Sequence, residues 1–268
     1  CMFSPLGKAA FEASADDHEN LMDVLQASGL AVLWLDNQPG GCKGVCDRVP
    51  HAFAFKGLDA ATQQKYCDGD ECLDEVLLKG LDARLAALPA ERRARGVVLV
   101  MHQMGSHGPA YYKRSPTEAK RFAPECRDNA LAQCSHDELI NAFDNSIAYT
   151  DRFLGKTIDW LGAMSDRYAP SMLYLSDHGE SLGEFGLFLH GVPYALAPEV
   201  QKHVPWVMWL GAGMRRREGL STACLQRQLD APLTHDNLFH TVLGLMDVQS
   251  PSYKLGLDAL AACRPAAA

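Results

Sequence analysis

Four short runs of apolar, β-branched and aromatic residues punctuate the chain, at residues 30–35, 97–101, 172–175 and 204–210, and each reads as a buried strand. The stretches between them carry a different rhythm. Leu73, Val76, Leu77, Leu81, Leu85 and Leu88 recur at mostly three- and four-residue steps, which predicts one helical apolar stripe. Leu139, Phe143, Ile147, Leu154, Ile158 and Leu161 predict a second. Its start is marked by Ser135 with Glu138 three residues on, the pattern of a capping box. A third helix is expected after Thr234, carrying Leu238, Val242 and Leu245. Strands alternating with helices predict an α/β fold of three layers, α/β/α, with a mostly parallel central sheet. Sites in such sheets lie beyond the carboxyl ends of the strands. Asp36-Asn37 follow the first strand, His102 to His107 the second and Asp177-His178 the third, so the polar, metal-capable residues gather at one edge.

Composition narrows this picture. With 268 residues, 47% of them hydrophobic, the chain can bury one large core, and a single domain over 1–268 is expected rather than two. A net charge of −8 argues against nucleic acid held by bulk charge. No apolar run approaches the roughly 18–20 residues that span a bilayer. The chain opens Cys1-Met2-Phe3-Ser4, without initiator Met, basic segment or apolar leader. That opening reads as a processed product or a portion of something longer, with a lipidated cysteine as a third reading. There is no internal repeat, and the only biased segment is the tail at 264–268, expected to fray.

Nine cysteines are many for this length, and six of them form close pairs, Cys42/Cys46, Cys67/Cys72 and Cys126/Cys134. The sequence around them is loop-like, as in Cys67-Asp68-Gly69-Asp70-Glu71-Cys72. Short loops closed by disulfides fit an oxidising compartment. A zinc site is the competing reading, although no C-x₂-C knuckle is present. Cys224 and Cys263 are candidates for a fourth bridge. Cys1 is then left over, which points to a partner in a preceding segment.

The chemistry concentrates in Ser176-Asp177-His178-Gly179-Glu180-Ser181-Leu182-Gly183-Glu184. An adjacent Asp177-His178 where a strand ends lets a carboxylate and an imidazole turn toward one point. Oxygen plus imidazole ligation favours Zn²⁺ over Ca²⁺ or Mg²⁺. A loop Asp capping the next turn beside an exposed His is the plain alternative. His107 lies in a Gly- and Pro-fixed loop, and His190 precedes Gly191 twelve positions beyond His178. If these loops converge, His107 and His190 are placed to stabilise charge on a transferring phosphoryl or sulfuryl group, with Lys43 and the Asn37 loop contributing. His235 reads as a helix N-terminal residue, and His18, His51, His136, His203 and His240 as solvated or packing. No Ser or Thr stands at a convincing nucleophile elbow; Ser176 is explained as strand-end spacing. A carboxylate-rich segment to complete the metal shell is not evident.

Met101-His102-Gln103-Met104-Gly105-Ser106-His107-Gly108-Pro109-Ala110-Tyr111-Tyr112, with the Ser176–Glu184 segment and Leu189-His190-Gly191, resembles the catalytic domain of bacterial phosphoethanolamine transferases. These are the lipid A-modifying and mobilised colistin-resistance enzymes of the alkaline phosphatase and sulfatase superfamily. Cys1-Met2-Phe3-Ser4, Leu33-Trp34-Leu35-Asp36-Asn37 followed by Lys43-Gly44-Val45, Asn141-Ala142-Phe143-Asp144-Asn145 and Leu233-Thr234-His235-Asp236 fit the same pattern, across essentially the whole chain. The resemblance implies an alkaline phosphatase-like fold, Asp177 and His178 as zinc ligands, and His107 and His190 as residues that bind the phosphoethanolamine group or an additional zinc. It makes Asn37 and Lys43 contacts to that group, and Cys67/Cys72 and Cys126/Cys134 disulfides; Cys42/Cys46 is shared by only some members.

In the family a zinc-bound threonine nucleophile, a glutamate ligand and membrane-spanning helices precede the Cys-Met-Phe-Ser segment. The resemblance therefore implies a periplasmic catalytic domain of a Gram-negative inner-membrane enzyme, without its anchor and nucleophile segment. It implies phosphatidylethanolamine as donor, lipid A as acceptor, contact with the membrane through the anchor, no nucleic acid, and a monomer. A sulfatase- or phosphatase-type hydrolase of the same superfamily is the alternative. A further one is an inactive fragment that only binds the phosphoethanolamine group.

Overall fold

The computed structural model describes residues 1–14, 18–69 and 71–265. The last three residues of the biased tail and Asp70 of the Cys67–Cys72 loop lie outside the described residues. Strand β1 (Ala31–Asp36) is buried along its whole length. It pairs in parallel with β2 (His51–Phe53) on one side and, after the short β3 (Cys67–Asp68) and β4 (Glu71–Cys72) hairpin, with β5 (Val97–His102) on the other. Strand alternation sends its side chains to two cores. Val32 and Trp34 meet Leu21, Met22, Leu25, Phe239 and Leu243 of the helices Leu21–Ala27 and Asp236–Leu245. Ala31, Leu33 and Leu35 meet Val76, Leu77, Leu81, Leu85 and Phe153 on the opposite face. Helices on both faces of a sheet make three layers, as the sequence pattern predicts.

β6 (Ser171–Leu175) pairs with the last strand, β9 (Trp206–Leu210), and that ladder is antiparallel. The strand expected at 204–210 begins only at Trp206, because Pro205 has no N–H to give the ladder. Between them the chain forms a short hairpin of β7 (Ser181–Leu182) and β8 (Phe188–Leu189). That hairpin folds residues 178–190 back on themselves.

The helical stripes need two corrections. Residues 73–88 supply the expected buried face, but as a short 3₁₀ segment, Asp74–Leu78, and a helix, Leu81–Ala86, broken at Gly80 with φ of +66°. The long helix His136–Ala163 starts as predicted: Ser135 accepts from the Glu138 N–H and Glu138 accepts from the Ser135 N–H. Its buried face, however, is Leu139, Ala142, Ser146, Tyr149, Phe153 and Thr157, while Ile147 is 45% exposed. Small and hydroxylated residues let the helix lie close to its neighbours, so hydrophobicity alone picks a rotated stripe. Asn145, fully buried on this helix, accepts from the N–H groups of Arg121 and Phe122 and pins the loop that follows the site.

Four disulfides close the loops, Cys42–Cys46, Cys67–Cys72, Cys126–Cys134 and Cys224–Cys263. Cys1 is a free, exposed thiol.

Candidate functional site

Three imidazoles converge beyond the strand ends. The ring centres of His178 and His190 are 3.8 Å apart, those of His107 and His190 5.1 Å, and those of His107 and His178 6.2 Å. His107 arrives on the loop after β5, His178 on the bend after β6, and His190 from the end of the β7–β8 hairpin. Each is followed by glycine, and the structure shows why for two of them. A Cβ on Gly108 would lie 2.4 Å from Leu189 Cδ2, and one on Gly179 would lie 2.0 Å from the Val200 carbonyl oxygen. These loops touch only because that atom is missing.

All three rings are held through Nδ1. His107 Nδ1–H donates to the Gly108 carbonyl at 2.7 Å and His178 Nδ1–H to the Gly179 carbonyl at 3.0 Å. His190 Nδ1–H donates to Glu180 Oε1 at 3.1 Å. Committing Nδ1 as a donor leaves each Nε2 for the site. It is a lone pair toward a metal in the neutral ring, the arrangement that metal-ligating histidines use, or an N–H toward an anion in the imidazolium.

Glu180, which the sequence does not single out, places a carboxylate among the three imidazoles. It is 8% exposed. Besides His190, it accepts from Tyr111 Oη–H at 3.1 Å and from the Gly108 N–H at 3.4 Å. One carboxylate thus ties all three site loops together. Burial, and then the charge of Glu180, push the Tyr111 hydroxyl pKa far up, so it stays a donor. A signal for Glu180 was present: it stands two positions after His178 in a non-helical run, a spacing that places side chains on one side.

Asp177 is 67% exposed at its side chain, with Oδ2 at 3.7 Å from His178 Nε2 and Oδ1 accepting the His178 N–H. Ser176 Oγ–H donates to the His178 carbonyl, consistent with a spacing role, and His235 Nε2–H donates to the Ser176 carbonyl from the start of the helix Asp236–Leu245. His240 is buried, as a packing residue should be.

Asn37 is not open to the site through its amide nitrogen. It is 1% exposed, and Nδ2–H groups donate to Asp74 Oδ1 and the Cys72 carbonyl, both at 2.8 Å. Lys43 lines a cleft of about 210 Å³ with Asp36, Cys42, His51 and Phe53. In that cleft burial pushes the Asp36 carboxyl up. Hydrogen bonds from His102, the Gln38 N–H and the Trp34 indole overcome this and hold it below the usual range.

The donor set suits zinc. Ligating atoms of His178, Glu180 and His190 lie within 4.8 Å of one another, and two of the three are imidazole nitrogens.

The sulfatase family model matches residues 1–248. Phosphoethanolamine transferase EptA of Salmonella typhimurium is 42% identical over 266 residues, 98% of this chain and 47% of the relative. Phosphatidylethanolamine transferase Mcr-1 of Escherichia coli is 41% identical over 258 residues, 95% of this chain and 45% of the relative. The crystal structure of the soluble domain of lipooligosaccharide phosphoethanolamine transferase A from Neisseria meningitidis superposes with a TM-score of 0.89 at 39% identity, covering 99% of this chain and 77% of that one. The chain spans about half the length of the curated relatives it matches.

Proposed function

The chain belongs to the sulfatase family with the alkaline phosphatase-like fold, and on that premise we propose that it forms the periplasmic catalytic portion of a zinc-dependent phosphoethanolamine transferase. The observation that carries this reading is the trio His107, His178 and His190, each with Nδ1 committed and Nε2 free, gathered around one buried carboxylate. The likeness to EptA and Mcr-1 over nearly the whole chain supports transfer over hydrolysis. Four disulfides among the described residues support an oxidising compartment.

Asp177 and His178 would hold the zinc, with His190 and Glu180, whose ligating atoms lie within 4.8 Å of that of His178, able to extend the site. The ion, when bound, supplies Lewis-acid polarisation of an oxygen and lowers the pKa of a hydroxyl. The chain's own residues do the rest. In their protonated form His107 and His190 donate Nε2–H to the phosphoryl oxygens, and Glu180 keeps His190 turned toward them. Lys43, an exposed cation lining the cleft beside Asp36, meets the anionic group as it enters. Asn37 acts from behind the site, through Asp74.

The donor is phosphatidylethanolamine. A threonine oxygen, in the part of the relatives' length that this chain does not span, attacks its phosphorus. The phosphorus–oxygen bond to the diacylglycerol breaks and the lipid leaves as the alcohol. An oxygen of a lipid A phosphate then attacks the same phosphorus and releases the threonine hydroxyl. Each transfer adds an ammonium group to lipid A and reduces the negative surface potential that attracts polybasic peptides such as polymyxins.

The test is incubation of the whole protein with phosphatidylethanolamine and lipid A, followed by mass spectrometry. Transfer predicts lipid A carrying phosphoethanolamine. Release of free phosphoethanolamine into water, with unmodified lipid A, contradicts it and supports a hydrolase.

A further inference from the structure

Asp74 stands in the 3₁₀ segment directly after the Cys67–Cys72 hairpin, and nothing in its local sequence marks it as special. In the fold it is a buried carboxylate that takes three hydrogen bonds from two different site loops. Oδ1 accepts from Asn37 Nδ2–H and from the Met104 N–H, and Oδ2 accepts from the Gly105 N–H, each at 2.8 Å. Two successive backbone N–H groups aimed at one anion form a nest. The nest dictates the shape of the loop, since Gly105 adopts φ of +58° within it. Two residues further on that loop carries His107.

The loop is held elsewhere as well. Arg114 Nε–H donates to the His107 carbonyl at 2.9 Å, and the Gly108 N–H reaches Glu180. Those contacts fix the end that bears the imidazole. Asp74 fixes the end that leaves the sheet, and it couples that end to Asn37 at the tip of β1. A buried carboxylate is a costly way to stabilise a fold, because burial drives its pKa up against the hydrogen bonds and the Arg114 charge that favour the anion. The three donors converge here where the loops after β1 and β5 must be held in register with each other.

We infer that Asp74 is a positioning residue for the transfer site, a buried anion around which the Asn37 and His107 loops are assembled. This rests on the reading of His107 as a group that contacts the transferred phosphoryl. Asp74 touches no reacting atom and acts through the Met104–Gly105 backbone. Asparagine at this position keeps the volume and one acceptor oxygen, but its NH₂ faces an N–H of the nest, so the loop loses at least one anchor.

The experiment uses the whole protein with Asp74→Asn, Asp74→Ala and a control, Asp258→Asn, which alters another buried carboxylate bound to Tyr253 and Arg264 near the C-terminus. Hydrogen exchange by mass spectrometry reads the peptide covering 102–109, and turnover and KM are measured on the same preparations. Expected for Asp74→Asn is at least about a tenfold rise in exchange confined to 102–109 and residues adjoining Asn37, with kcat reduced about tenfold or more. Expected for Asp258→Asn is a lower melting temperature with exchange at 102–109 and kcat unchanged. Unaltered exchange at 102–109 in both folded Asp74 variants overturns the inference. So does an equal loss of protection and turnover in Asp258→Asn, which would mean general destabilisation. If Asp74→Ala does not fold, Asp74→Asn alone decides. Should the wild type prove to have no transferase activity, the exchange measurement still judges the positioning role and the failure belongs to the functional reading.

Discussion

Replacing Tyr111 with phenylalanine removes one oxygen from the centre of the site and little else. The ring is 1% exposed and packs edge-on against Phe143 with centroids 5.4 Å apart, a contact phenylalanine keeps. What is lost is the donor to Glu180 Oε2, a carboxylate only 5% exposed at its side chain. A hydrogen bond to a charged buried group is worth about 1.5–3 kcal/mol, and the stranded oxygen cannot recruit bulk water. For a chain of 268 residues that corresponds to a fall in melting temperature of about 3–5 °C. The same change made in a Glu180→Gln background removes a neutral hydrogen bond, costing about 0.5–1.5 kcal/mol. The two mutations should therefore couple by about 1 kcal/mol. Urea unfolding followed by far-ultraviolet circular dichroism, without reductant and at neutral pH, measures all four corners of the cycle. A cost for Tyr111→Phe below about 0.5 kcal/mol, or equal costs in both backgrounds, would refute the charged, buried carboxylate as the knot of the three site loops.

Gly179→Ala places a methyl 2.0 Å from the Val200 carbonyl and must displace the backbone beside His178. Overpacking of this kind should cost about 1–3 kcal/mol in urea unfolding and weaken zinc binding in a metal titration. Deleting the Cys224–Cys263 bridge with paired serines opens a loop closed over a separation of 39 residues and should cost roughly 4 kcal/mol by the same assay. Burial holds the His240 pKa below its ordinary 6.5, so the folded state prefers the neutral ring. That contribution is complete above about pH 6.5 and is lost as the pH falls through the lower folded value. Stability followed from pH 7.5 to 5 should thus decline more steeply in the wild type than in His240→Gln.

The histidines of the site were legible because local chemistry marks them. Each of His107, His178 and His190 precedes a glycine, and for the first two that glycine is demanded by close contacts across loops. The strands were legible because they are short and apolar, although of the four expected to be buried only β1 is so throughout, β5, β6 and β9 being largely half-buried; β1 even divides its side chains between the two cores. The capping box at Ser135 and Glu138 is a strictly local device and was equally plain. What escaped was set by tertiary contact. Glu180 and Asp74 are single carboxylates whose importance rests largely on donors distant in the chain, Tyr111 at 69 residues for Glu180 and Met104 and Gly105 at about 30 for Asp74. Asn37 is expected from the sequence to contact the phosphoethanolamine group, yet its amide nitrogen turns inward to Asp74 and the Cys72 carbonyl. The rotated face of the long helix escaped for a related reason, since Ala142 and Ser146 are buried by proximity rather than by hydrophobicity.

The most direct measurement pairs metal content with transfer in the whole protein and its His178→Gln variant. Zinc should copurify with the wild type, phosphoethanolamine should appear on lipid A, and both should be lost together in the variant while its melting curve stays cooperative. A folded His178→Gln protein that still transfers phosphoethanolamine at the wild-type rate would contradict the assignment of this cluster as the centre of the reaction.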